Sequence, residues 1–120
     1  MKLQIRLDTL ALSVLLDDNP SARDLLGLLP LNLSLEDYAA TEKIASLPRR
    51  LSTAQAPRGF TPRAGDLAYY APWGNLALFH QDFGFSTGLI RLGRIEQGRE
   101  QGIKHLARPG RMASEWVAMP

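Results

Sequence analysis

A chain of 120 residues, 45% hydrophobic and 22% charged, has the length and balance of one folded domain around one core, values that do not favour disorder and would strain to hold two domains. Its formal charge of +2 is slight, its arginines are scattered apart from Arg49-Arg50, and no apolar run approaches the ~20 residues of a spanning helix, so neither a nucleic-acid surface nor a membrane span is expected. With no cysteine there is no disulfide and no thiolate metal site, which suits a reducing cytoplasm.

The start alternates: Leu3, Ile5 and Leu7 fall on one face of an extended segment, the pattern of a strand and not of a secretion signal. Asp8-Thr9 then reads as a two-residue turn into a second strand over Leu10 to Leu16. Asn19-Pro20 supplies a helix cap and a proline suited to the first helical position. Ala22, Leu25, Leu26 and Leu29 follow at helical spacing, and Pro30 ends the helix, which is expected to close an end of a barrel. Leu31, Leu33 and Leu35 alternate with polar residues and mark a half-buried strand.

From Asp37 to Leu51 helical and extended readings compete, and the extended one is preferred. Neighbouring Glu42 and Lys43 point to opposite faces of such a strand, so they read as a solvated pair and not as a catalytic dyad. Ser52 to Ala64, with Pro57, Gly59 and Pro62, reads as a long surface loop of the kind that borders binding sites. Two apolar and aromatic runs then flank Pro72-Trp73-Gly74-Asn75, which predicts a hairpin with Pro72 and Trp73 at the centre of a type I turn and Gly74 in the left-handed region. Leu89 to Ile95 predicts a strand with Ile90, Leu92 and Arg94 on one face and a bulge or bend at Gly93. Gly98 and Gly102 leave about one helical turn around Ile103 to Leu106, and a last strand over Met112 to Met119 is expected to pair with the first and close the barrel.

In their order along the chain, Gly65-Asp66, Tyr69-Tyr70, Pro72-Trp73-Gly74-Asn75 and Leu76-Ala77-Leu78-Phe79 resemble the signature of small bacterial cyclophilin-like proteins. Asn19-Pro20, Leu29-Pro30-Leu31 and Glu42-Lys43-Ile44 upstream, and Gly88-Leu89-Ile90-Arg91-Leu92-Gly93 downstream, extend the resemblance over most of the chain. It implies a mainly β fold over residues 1–120: a small closed or nearly closed cyclophilin-like β-barrel with one or two short helices. That fold is shared with peptidyl-prolyl isomerases, in a branch whose activity is mostly unassigned, and a fold does not bring its function with it.

Tyr69, Tyr70, Trp73, Asn75, Phe79 and His80 are the candidate ligand-binding residues, because a turn bearing tryptophan beside strand-borne tyrosines can floor a pocket for a proline ring or another apolar group. Core packing is the competing role: either Tyr69 or Tyr70 must face inward, and Phe79 fits a core equally well. His80 and His105 stand alone without a ligand pattern, so no metal is expected, and the chain has neither a nucleophile elbow nor a glycine-rich phosphate loop, so no cofactor is expected and no catalytic residue is assigned. Asp66, at a strand start, reads as a turn acceptor. The resemblance to authentic cyclophilins stops at the donor that stabilises a twisted prolyl amide: where their motif is Phe-His-Arg, this chain has Phe79-His80-Gln81. The leading reading is therefore a binding module for a small ligand or peptide, ahead of a weak peptidyl-prolyl isomerase and a basic nucleic-acid adaptor.

Overall fold

Strands that alternate apolar and polar residues each have one face to bury, and rolling the sheet into a barrel buries all of those faces while leaving no unpaired edge. The computed structural model, which describes all 120 residues, has this architecture. Its eight barrel strands are β1 (Lys2–Leu7), β2 (Leu10–Leu16), β3 (Leu31–Tyr38), β4 (Glu42–Ser46), β6 (Asp66–Tyr70), β7 (Asn75–Phe79), β9 (Leu89–Gln97) and β10 (Met112–Met119). They close antiparallel in the order β1-β10-β3-β4-β7-β6-β9-β2. A short ribbon of β5 (Gly59–Phe60) and β8 (Ser86–Thr87) forms a separate two-stranded sheet, so the expected long loop is interrupted by one pairing. No helix is long and apolar enough to cross a membrane.

The barrel interior holds Leu3, Ile5, Leu7, Leu33, Leu35 and Trp116, as the alternation requires. Trp116 brings a polar N–H into this interior, where it donates to Ser114 Oγ at 2.8 Å. The Ser114 hydroxyl donates in turn to the Leu33 carbonyl at 2.7 Å, so both buried donors are satisfied. The first and last strands pair in register from Lys2↔Met119 to Arg6↔Glu115, which closes the barrel.

Helix α1 (Pro20–Leu28) begins as its sequence dictates: the Asn19 side chain accepts from the Ala22 amide at 2.8 Å, and Pro20 opens the first turn. Its buried Ala22 and Leu25 join the barrel core. Helix α2 (Arg99–Leu106) is twice the single turn expected from its glycines. Gly102 is tolerated because it lets the helix come close to β2, where an added Cβ would stand 2.8 Å from Leu12 Cδ2.

Three further expectations are corrected. The hairpin turn is displaced by one residue: Tyr70 O accepts from both Trp73 N (3.3 Å) and Gly74 N (2.8 Å), centring it on Ala71-Pro72, while Gly74 takes the expected left-handed φ of 72°. On β9, Ile95 is buried and Arg94 is exposed. The register against β6 slips between Leu67↔Gly93 and Ala68↔Arg91, and this bulge inverts the side-chain alternation beyond it. Lys43 is also not solvated. It points inward with a fully enclosed side chain, and its ammonium donates to Asp37 and to the carbonyls of Arg108 and Gly110 at 2.7 Å each.

Candidate functional site

A strand at a barrel wall normally buries one face, but β6 and β7 bury both. Leu67, Tyr69, Leu76 and Leu78 join the interior, while Ala68, Ala77, Phe79 and Leu89 form a second apolar cluster on the outer surface. Ile44, Phe60 and Tyr70 pack against this outer cluster, and the segment from Gln81 to Gly88 runs beside it, anchored by Phe83 N to Pro62 O (3.1 Å), Gly88 N to Arg58 O (2.8 Å) and Ala64 N to Asp82 Oδ1 (2.9 Å). What remains uncovered is a groove of about 220 Å³.

Phe79 and Leu89 form the buried floor, with half-buried Ile44 beside them. Tyr38, Trp73 and Phe83 form the exposed rim, Trp73 being 57% exposed. The Trp73 ring stands at 89° to Tyr38 and 81° to Tyr70, each at a centroid distance of 5.4 Å, so the three rings meet at a corner instead of stacking. Arg50 supports the turn that presents Trp73 by donating to the Ala71 carbonyl at 2.7 Å.

Four polar residues enter this apolar setting, Ser86 and Thr87 from β8, Asn75 from β7 and Glu42 from β4. Asn75 is buried; its amide nitrogen donates to Leu76 O at 3.0 Å, but its Oδ1 has no protein partner. A buried acceptor without a donor is a place for a ligand or a water to bond. Glu42 is half-buried, accepts from the Thr41 hydroxyl at 3.2 Å, and has its carboxyl pKa raised because burial disfavours the charged form.

Of the six residues singled out from sequence, Tyr70, Trp73, Asn75 and Phe79 line the groove. Tyr69 does not: the period-two geometry turns it into the barrel, where its hydroxyl accepts from Leu51 N at 3.0 Å. His80 also lies off the groove, buried one residue beyond the end of β7. Burial, and then the charge of Lys43, lower its pKa, while Asp37 acts in the opposite direction. Asp66 has the turn role expected of it, its Oδ2 accepting from Arg63 N at 2.9 Å.

Tyr38, Ala39, Glu42, Ile44, Phe83, Ser86, Thr87 and Leu89 are the lining residues that sequence reasoning missed. The cross-strand register that aligns Tyr38 with Glu42, and Glu42 with Phe79, assembles that side of the site. No spacing within a single strand announces it. No cluster of three or more His, Cys, Asp or Glu side chains with metal-binding geometry is present.

No curated protein matches the chain in sequence. A solved solution structure of a hypothetical protein from Archaeoglobus fulgidus is similar to it at a TM-score of 0.64 and 17% identity, covering 99% of this chain and 95% of that one; at that identity the likeness is one of fold. The model of the Cyclophilin-like family matches residues 5–113. With a closed eight-stranded barrel, two short helices and this match over most of its length, the chain belongs to the cyclophilin-like family.

Proposed function

We propose that this domain is a binding module whose outer groove takes a small ligand or a short peptide segment, with Tyr70, Trp73, Asn75 and Phe79 among the contacting residues. The observation that supports this most directly is the unpartnered Oδ1 of buried Asn75 beside an apolar floor of Phe79 and Leu89. Apolar burial supplies affinity in such a site and the few polar groups set orientation. A binding role is favoured over prolyl isomerisation because the groove is lined by no arginine, and Arg91 is engaged with Asp17 at 3.1 Å.

The test is a titration of isotopically labelled protein with N-acetyl-alanyl-proline amide and with a set of small apolar fragments, read by amide and indole NMR shifts. A ligand in the groove moves the Trp73 indole and the Asn75 amide signals and leaves the buried Trp116 indole in place. Shifts that map elsewhere on the barrel, or none with any compound, overturn the proposal.

A further inference from the structure

The groove is charged opposite to the chain around it. Of 14 Lys and Arg residues in a chain of net charge +2, none lines the groove, and the single ionisable acid that does is Glu42. Beside Glu42 stand three aromatic rings, Tyr38, Trp73 and Tyr70, with the Trp73 plane near a right angle to each tyrosine. Aromatic faces carry negative charge density, and a cation set against several of them gains from each, most of all with tryptophan. Asn75 Oδ1 adds a further unused acceptor. Every one of these features is matched by a positively charged guest that also has one hydrogen-bond donor.

Size narrows the guest. About 220 Å³ lies below the roughly 300–1,000 Å³ of pockets that enclose drug-sized ligands, so the space suits a free compound of few heavy atoms better than a long peptide. Resting on the groove-binding reading above, we infer that the occupant is a small alkylammonium compound. Its cationic nitrogen packs against Tyr38, Trp73 and Tyr70 and faces the Glu42 carboxylate, and its N–H or O–H group donates to Asn75 Oδ1. Burial disfavours the ionised form of Glu42, and a bound cation offsets that penalty.

The experiment compares choline with 3,3-dimethyl-1-butanol, which has the same shape and hydroxyl but no charge. Binding is read from the Trp73 indole signal, with the Trp116 indole, buried and bonded to Ser114, as internal reference. Choline is expected to bind about tenfold or more tightly than its neutral isostere, the gain available to a partly desolvated cation on aromatic faces. In Glu42→Gln the gap is expected to shrink to about threefold or less, as the Coulomb attraction is removed. Equal or tighter binding of the neutral compound leaves a ligand groove standing and overturns the cation assignment. An unchanged gap in Glu42→Gln overturns the part given to Glu42. If neither compound moves the Trp73 signal, the cation assignment fails, and the groove-binding reading is then judged by the fragment titration alone. N-acetyl-trimethyllysine amide is a third arm, and much tighter binding of it than of choline would assign the groove to a side chain of a partner instead of a free compound.

Discussion

The ammonium of Lys43 is enclosed within the barrel and held by the carboxylate of Asp37, which is itself 45% exposed. Asp37 also accepts from Gly110 N at 2.7 Å, so this one pair ties β3 and β4 to the turn before β10. Its carboxyl is held below the ordinary range, first by the Lys43 hydrogen bond and then by the Gly110 amide. Removing one member of a pair leaves the other uncompensated, and this is worse when the survivor is the buried charge. Asp37→Ala should therefore lower the melting temperature more than Lys43→Met, which leaves behind a partly exposed carboxylate and the carbonyls of Arg108 and Gly110 instead of an enclosed charge. Thermal melts decide it, and the reverse order would mean that the lysine owes its place to the carbonyls of Arg108 and Gly110 and not to Asp37.

Glu42 gives a pH prediction with a definite sign. Its folded pKa lies above the ordinary 4.5, so between that value and the raised one the folded state holds more protons than the unfolded chain. Stability falls as pH rises through this window. The penalty is fully present above the window and absent below about 4.5. Glu42→Gln should accordingly raise the melting temperature at pH 7 and leave it nearly unchanged at pH 4. An equal gain at both pH values would show that the change acts through packing and not through the charge.

Two glycines should respond oppositely to alanine. At Gly93, on the bulged strand, an added Cβ would stand 2.3 Å from Leu15 O and 2.9 Å from Leu16 Cα. Those are backbone atoms of the paired strand, so Gly93→Ala should destabilise by roughly 1–3 kcal/mol, the usual penalty of overpacking. At Gly27, in α1, nothing lies within 4 Å, and Gly27→Ala should stabilise by about 0.5–1 kcal/mol through helix propensity. Chemical denaturation of the two variants measures both, and a loss at Gly27 would refute the expectation of open space there.

Isomerase activity on X-Pro peptides should be absent or marginal. A bound proline accelerates nothing unless the twisted amide is held better than the planar one, and the groove lining lacks the arginine that would do this. Arg91 is paired with Asp17, and Arg94 is exposed on β9. Rates with wild type should match the uncatalysed reaction, with Arg91→Ala and Arg94→Ala indistinguishable from it. A strong acceleration abolished by either substitution would replace the binding module with an arginine-dependent isomerase.

Local chemistry made much of this protein legible before its fold. Leu3, Ile5 and Leu7 alternate, Asn19 precedes Pro20, and Gly74 follows a proline-containing turn. Strand, helix start and hairpin follow because each depends on residues within a few positions of one another. The aromatic hairpin could be named as a candidate site for the same reason. What sequence could not decide was which side of the wall each residue occupies once strands distant in sequence are paired. Tyr69 and Tyr70 differ by one position, yet one bonds Leu51 in the core and the other lines the groove. The Gly93 bulge exchanged Arg94 for Ile95 at the interior, and the approach of α2 to Leu12 made Gly102 a contact where its propensity suggested a break. Lys43 became a buried cation only because β3–β4 pairing set Asp37 opposite it and the turn of Arg108 to Gly110 came around it. The groove was decided in the same way: Tyr38, Glu42 and Phe79 are remote or unremarkable along the chain, and antiparallel register sets them side by side. Periodicity specifies a face, but only pairing and closure specify what that face meets.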